Sequence, residues 1–468
     1  MLIVPGFAIV KKLSQSDGLV VYQAVRSAPT PTRTAEVASA AGQKVLLKLP
    51  QSAQPAPRLL AALQHEFNLL RSLDLPGVVK AQSLEPVGSS LALVLEDFGG
   101  ASLRSLFPRP PALKTILQVA LAVAETLAAL HRIPVLHKDL KPDSILFNPD
   151  TGEVKLADLS LASRLSQEPQ RALDPTLQEG TLAYMSPEQT GRMNRLVDSR
   201  SDLYSLGVTL YELIAGAPPF VSADPLELIY SHVARHPLPL EQRVPGLPAT
   251  VAAVVHKLLA KEAEERYQSA SGLRADLQEC LQRLDAGGQI APFALGKSDR
   301  SEGLRIPQKL YGRQEEARAL MDAFARTAAG AVNLLLLSGY AGVGKSALVY
   351  EVYKGIARRG GYFVAGKFEQ LNRHIPYAAL ASALGPKSHR SMASEAASST
   401  VRARKSSMNA SARYCSRKFW NVAGSGLTSR LASSFSAAER SVSAVKARSV
   451  DRVRSEERRV GKECLRLC

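Results

Sequence analysis

The chain has 468 residues and a formal net charge of +17, too long for one compact core, so two or three domains are the starting expectation. The charge is unevenly placed: residues 385–468 hold 18 Lys and Arg against 6 Asp and Glu, which is +12 and leaves only +5 for residues 1–384. A nucleic-acid-binding body is therefore not implied. Of the four cysteines only Cys280 precedes residue 385, which excludes a disulfide framework or a thiolate metal site there and fits a reducing, cytoplasmic setting.

At the N-terminus the short apolar run Leu2 to Val4 comes before Lys11 and Lys12, the wrong order for a signal peptide. Residues 7–100 read as short β-rich runs, such as Gly18 to Tyr22, Lys44 to Lys48 and Leu91 to Leu95, with one helical stretch from Arg58 to Leu73. Ser27 to Gly42 is rich in Ala, Pro, Thr and Ser and marks an exposed hairpin loop. From Leu113 to Leu284 apolar residues recur at three- and four-residue spacing, for example Ile116, Leu117, Ala120, Leu121, Ala124, Leu127 and Leu130, so a larger helical lobe follows. The segment Leu113 to His131 is interrupted by Lys114, Gln118 and Glu125 and is read as falling short of a membrane span. Residues 285–308 lack periodicity and are read as a linker.

Phosphoryl transfer requires phosphates held in place, their charge neutralised, and an acceptor hydroxyl aligned by a carboxylate. The string from His137 through Asp139, Lys141 and Ser144 to Leu146 resembles a protein kinase catalytic loop. That resemblance gives Asp139 the role of orienting carboxylate and Lys141 contact with the γ-phosphate, as in Ser/Thr kinases. Nineteen residues after Asp139, a strand-like run ends in Asp158-Leu-Ser160, matching the metal-binding Asp of a D-F-G motif. Ser186-Pro-Glu188 matches A-P-E, with Gly180, Thr181 and Tyr184 before it, and Asp202 to Gly207 resembles the buried helix that braces the catalytic loop. Arg266 is placed to pair with Glu188. In the small lobe Lys48 stands where the α/β-phosphate lysine is expected, with Glu66 as its partner. Leu13 and Val21 fall over the adenine site, and Glu96 and Phe98 fall in the hinge whose backbone would bind adenine.

Four departures accompany this pattern. Ser14, Ser16 and Leu19 stand where the Gly-rich loop has glycines, which makes close backbone approach to phosphate harder. Ser144 replaces the Asn that binds a second Mg²⁺, offering a shorter hydroxyl. Lys138 replaces Arg, which removes the fork that docks a phosphorylated activation loop. Leu159 and Ser160 replace Phe and Gly after Asp158, and for Ser160 the expected cost is backbone freedom.

Farther along, Val332 to Leu337 reads as a buried strand running into Gly339-Tyr-Ala-Gly342-Val-Gly344-Lys345-Ser346, a G-x-x-x-x-G-K-[ST] phosphate loop before a helical stretch. Lys345 would reach the β/γ-phosphates and Ser346 the Mg²⁺. Leu310 to Glu315 ahead of it resembles the opening motif of AAA-type signalling ATPases. After a second strand at Tyr362 to Phe368 no apolar run ends in Asp-Asp or Asp-Glu, so a Walker B element is missing. Residues 385–468 carry 18 serines and no sustained periodicity. They are read as a disordered or frame-shifted tail, and residues 454–464 resemble translated adapter sequence.

Taken together, residues 1–384 resemble the N-terminal part of bacterial multidomain signalling proteins. These join a Ser/Thr kinase to an AAA-type ATPase and then to sensory and histidine-kinase modules. The strings LEDFGG, GTLAYMSPEQTGRMNR and GKFEQLNRHIPYAAL carry this resemblance. It implies an α+β bilobal kinase fold over 7–284, a linker over 285–308, the start of an α/β P-loop NTPase domain over 309–384, and the tail. Implied too are ATP at two sites, Mg²⁺ held by Asp158, Ser144 and Ser346, a protein substrate, and no nucleic-acid or membrane partner. A catalytically impaired nucleotide-binding scaffold is the alternative.

Overall fold

The computed structural model describes residues 4–16, 18–27, 42–52, 54–164, 181–191, 195–300, 312–340, 343–345, 347–349, 355–356 and 465–466. The chain separates into two units, Met1–Gln308 and Lys309–Cys468. The expectations for the 27–42 loop beyond its ends, for Gly180, Gly342 and Ser346, for the strand at 362–368 and for nearly all of 385–468 lie outside the described residues.

The first unit opens on a five-stranded antiparallel sheet: β1 (Phe7–Ser16), β2 (Leu19–Arg26), β3 (Lys44–Pro50), β4 (Ala81–Val87) and β5 (Ser90–Glu96), in spatial order β1-β2-β3-β5-β4. Period-two alternation sorts its side chains. Val45, Leu47 and Leu49 of β3 join Ala92 and Val94 of β5 in a cluster on one face. Leu46, Leu93 and Leu95 join the larger core on the other. Lys48 shares the parity of Leu46, which turns its side chain toward that second face. There helix α1 (Pro57–Arg71) begins with proline in its first turn and buries Leu63, Glu66, Leu69 and Leu70. Three- and four-residue spacing puts these on one stripe, so the same geometry that buries the leucines carries Glu66 to the sheet.

The helical lobe is built on α2 (Leu113–Arg132), α3 (Ser199–Ala215), α4 (Pro225–Ala234), α5 (Ala249–Leu258) and α6 (Ala270–Gly287). By length and apolar composition α2 could cross a membrane, a correction to the reading from its three polar residues. Its apolar side, however, is spent on the core through Leu117, Ala120, Val123, Ala124, Leu127 and Leu130. Helix α3 is buried along almost its whole length. Asp198 caps its start by accepting from Arg200 N–H, and Gly216 ends it at φ 77°. A Cβ at Gly207 would lie 2.6 Å from Leu258 Cβ, so this glycine sets how closely α3 and α5 approach.

The segment after α6 is aperiodic, as its composition requires, but through Arg300 it is docked rather than free. Ile290 is buried, Phe293 and Leu295 pack on the main core, and Arg283 lies over the Phe293 ring at 4.8 Å. Asp299 then accepts from Gln268 N–H at 2.7 Å, Ser269 N–H at 3.0 Å and Ser269 Oγ–H at 3.0 Å, bracing Ser269, which caps α6 by accepting from Gly272 N–H at 3.0 Å. A Cβ on Gly272 would sit 2.3 Å from Asp299 Oδ1, so only glycine admits the strap there.

In the second unit α7 (Gln314–Ala328) buries Leu320, Ala323 and Phe324, and Leu320 and Phe324 cluster with Leu348 and Ile356. The expected buried strand is reduced to Leu334–Leu335, paired with Leu465–Arg466. Val332 and Leu336 are 76% and 70% exposed, a correction to the buried-strand reading. Such a strand is buried on both faces only when helices pack on both sides of its sheet; here Leu335 and Leu337 pack against the α7 cluster, while Val332 and Leu336 face outward.

The strap generates the first prediction. Asp299→Ala removes three charge-assisted bonds at a helix start and is expected to cost about 1–2 kcal/mol, read as a melting temperature lower by roughly 2–4 °C. Gly272→Ala should lower it in the same direction by displacing the strap. An unchanged melting temperature for both would mean that the strap contributes no stability.

Candidate active site

Lys48 is the centre of the site. Its Nζ lies 2.6 Å from Glu66 Oε2 and 2.7 Å from Asp158 Oδ1, so one ammonium joins β3, α1 and the loop after the strand Val154–Leu156. Burial works against that charge, but Asp158 and Glu66 outweigh it and hold the Lys48 pKa above the usual lysine value. Burial likewise pushes Asp158 up, yet Lys48, with help from Lys141 and Ser160, holds its carboxyl well below the usual carboxylate range. Glu66 is pushed up by desolvation, partly offset by Lys48, and its second oxygen accepts from Leu159 N–H at 3.2 Å. Leu159 fills a fully buried slot, so leucine serves where phenylalanine was expected.

The catalytic-loop strand is braced from beneath. Asp202, buried in α3, accepts from His137 N–H at 3.0 Å, from Lys138 N–H at 2.8 Å and from His131 Nε2 at 2.9 Å. Burial would raise its pKa, but His131 and then His137 hold it below the ordinary value. The brace has a task, because Lys138 and Asp158 adopt φ of 69° and 61°. For non-glycine residues that region costs on the order of 1–3 kcal/mol and persists only where surroundings enforce it.

On this frame Asp139 Oδ2 lies 2.5 Å from Lys141 Nζ, and Asp139 Oδ1 accepts from Thr181 N–H at 2.8 Å. Lys141 Nζ also donates to Thr181 Oγ1 at 2.7 Å. Thr181 thus aligns both members of the pair, a role its place before Tyr184 only hinted at. The Ser144 hydroxyl accepts from Lys141 N–H at 3.0 Å and has the Asp139 and Lys141 carbonyls at 3.1 Å each. Its bonding is spent within the loop. Ser160 Oγ donates to Asp158 Oδ1 at 2.8 Å, so its hydroxyl orients the carboxylate as well as restricting the backbone. Sequence spacing gave no sign of that bond.

Around the cleft, Val21 pairs in register with Lys48 and packs on the main core, while Leu13 on β1 is 37% exposed. Strand pairing continues to Ser16 and Leu19, with Gly18 at φ 79°. Glu96 Oε1 accepts from Lys80 N–H at 2.9 Å and from Lys155 Nζ at 2.7 Å. Phe98 lies under Lys155 at 4.9 Å, and its carbonyl accepts from Asn148 Nδ2 at 2.8 Å. These contacts fix the hinge. In the second unit Lys345 Nζ donates to the Gly339 and Tyr340 carbonyls at 3.0 Å each, and Gly344 has φ 89°.

A buried ion pair ties the activation-segment end to the lobe. Arg266, fully buried, donates to Glu188 Oε1 at 2.7 Å and Oε2 at 2.9 Å, and Ser201 Oγ donates to Glu188 Oε1 at 2.6 Å. The remaining guanidinium contacts go to the Ala260, Arg200 and Lys261 carbonyls.

Residues 34–278 match the family model for the protein kinase domain, which is just over half of the chain. The chain belongs to the protein kinase domain family. Residues 309–460 match the AAA ATPase domain model, a span that runs beyond Leu384, where the resemblance read from sequence stops. Among relatives, hybrid signal transduction histidine kinase G of Dictyostelium discoideum is 36% identical over 224 residues, 44% of this chain. Serine/threonine-protein kinase PknB of Mycobacterium tuberculosis is 34% identical over 229 residues, 47% of this chain. The Mycobacterium leprae protein of that name is 36% identical over 254 residues, 52% of this chain. The matches span 6% of the Dictyostelium protein and 36% and 39% of the two mycobacterial ones.

Burial alone would raise the Glu188 pKa, but Arg266 brings it down from the ordinary 4.5 to about 2. The stability this contributes is fully present above pH 4.5 and is lost as pH falls toward 2. Glu188→Gln should therefore cost about 3 kcal/mol near pH 7 by leaving Arg266 without a counter-charge. Its deficit relative to wild type should shrink between pH 4.5 and 3 in urea unfolding. A deficit independent of pH would show that the charge on Glu188 is not what stabilises this corner.

Proposed function

We propose that residues 7–284 form a protein Ser/Thr kinase domain that transfers the γ-phosphate of Mg·ATP to a protein hydroxyl. The observation that carries this reading is the assembly of Lys48, Glu66 and Asp158 in one ion-paired group, with Asp139 and Lys141 held beside it. The residues fit the metal nucleotide: Asp158 is ionised, its side chain is 27% exposed against 6% for Lys48, and carboxylate oxygen suits Mg²⁺. When bound, Mg²⁺ neutralises charge on the phosphates. Lys48 holds the α/β-phosphates, Lys141 meets the γ-phosphate, and Asp139 orients the acceptor hydroxyl and takes its proton. The hinge backbone between Glu96 and Phe98 holds adenine.

The second unit, on this reading, binds nucleotide at Gly339–Ser346, with Lys345 leaving the two loop carbonyls for phosphate oxygens. Signal transduction from a cytoplasmic location, with a sensory and histidine-kinase portion in longer relatives, completes the proposal. The match to hybrid histidine kinase G and the single body cysteine support it. A nucleotide-binding scaffold is the second reading, favoured by Ser14, Ser16 and Leu19 in place of the loop glycines and by the Ser144 hydroxyl, whose bonds lie within the loop.

Transfer of label from γ-labelled ATP to a basic acceptor protein separates the two. Asp139→Ala should lower the rate on the order of 100-fold or more with ATP binding intact. Ser144→Asn should reduce the Mg²⁺ needed for half-maximal rate. Equal, undetectable transfer in wild type and both variants, with ATP bound, would leave only the scaffold.

For the second unit, Lys345→Ala should abolish nucleotide binding measured on residues outside the kinase cleft, for example with the Asp139→Ala, Lys48→Met chain. Steady hydrolysis there, removed by Lys345→Ala, would contradict the absence of a Walker B acid.

A further inference from the structure

Lys138 is the residue immediately before Asp139, and its backbone is in the left-handed region at φ 69°. A non-glycine residue keeps that conformation only where neighbouring groups over-determine it. Its N–H is held by Asp202 Oδ1 at 2.8 Å. Its carbonyl, which shares a peptide plane with the Asp139 nitrogen, is held from the opposite direction by Gln189 Nε2 at 2.8 Å.

Gln189 is 6% exposed, and both ends of its amide are in use. Oε1 accepts from Ser186 N–H at 3.1 Å and from Ser186 Oγ–H at 2.9 Å. A backbone N–H can only donate and a carbonyl can only accept, so the amide orientation is fixed by its partners. The residue sits in the one-turn helix Glu188–Thr190, whose first member is locked to Arg266 at 2.7 Å. A continuous path therefore runs from the buried ion pair through Gln189 to the peptide that carries the proposed base.

We infer that Gln189 is a positioning residue for phosphoryl transfer: its side-chain amide clamps the Lys138–Asp139 peptide and thereby aims the Asp139 carboxylate. This rests on the kinase reading above. Glutamine is the side chain that meets the need. Leucine of similar length would orphan both the Lys138 carbonyl and the Ser186 N–H. Glutamate, when ionised, would present an acceptor to the Lys138 carbonyl, and only its protonated form could donate there. Asp202 and Gln189 thus work as opposed jaws on one strained residue, one reading its N–H and the other its carbonyl.

The test compares full-length wild type, Gln189→Leu and Gln189→Glu, using ATP and a basic acceptor protein. Gln189→Leu should lower kcat by on the order of 10-fold while the KM for ATP stays within about twofold. Gln189→Glu should be more impaired at pH 8 and recover relative to wild type as pH falls to 6, because protonation restores the donor. Wild-type kcat in both variants, or a Gln189→Glu deficit that does not change with pH, overturns the clamp. If wild type itself transfers no phosphate, the kinase reading falls and amide exchange across residues 136–141 decides the clamp alone. Faster exchange in Gln189→Leu supports it, and unchanged exchange overturns it.

Discussion

One ammonium group organises this molecule. Lys48 bonds Glu66 on a helix and Asp158 on a loop from the other lobe; it offsets the desolvation of the fully buried Glu66 and holds the part-exposed Asp158 ionised. Removing a charge from such a group leaves the others desolvated and unpaired, which costs far more than the pairs contribute by themselves. The sheet, α1 and the Asp158 loop are thus held in one arrangement by a constraint that is electrostatic at its centre and apolar around it. Leu159 filling the slot beneath Glu66 is the apolar half of the same contact.

The catalytic loop depends on a second layer of buried charge. Asp202 holds two consecutive N–H groups of the loop, and Glu188 with Arg266 holds the end of the activation segment. Both carboxylates keep their charge because each of their oxygens meets at least one donor. Hydrophobic burial along α2 and α3 supplies most of the stability, but it is non-directional. A directional contact such as that of Asp202 with the Lys138 N–H can specify a backbone angle as unusual as that of Lys138.

The substitutions at the site are balanced by local bonding. Ser144 spends its hydroxyl stitching the Asp139 and Lys141 backbones together, which rigidifies the loop. Ser160 adds a donor to Asp158 Oδ1, and with Lys48 it fixes that carboxylate twice over. The site is therefore more tightly pre-organised around Asp158 than around a second ligand, and electrostatic pre-organisation is the larger part of phosphoryl-transfer catalysis.

The motifs in the sequence, through their resemblance to protein kinases, determined the expectation of the kinase fold, the partner of Lys48 and the pairing of Glu188 with Arg266. For Lys48 and Glu66 local periodicity gives the physical reason, since a strand face or a helix stripe carries its one polar member to the core together with its apolar ones. Tertiary structure alone decided the rest. Gln189 and Ser160 look like any polar residues in a loop, because a side-chain amide or hydroxyl acquires a partner only when distant backbone is brought within 3 Å or so. The docked strap was hidden for the same reason: Ile290, Phe293 and Asp299 have no period, and their partners lie in the main core, on α6 and in the turn before it. The exposed Val332 and Leu336 show the converse. An apolar run establishes that a strand is suited to burial, but the elements packed on its two faces determine whether burial occurs.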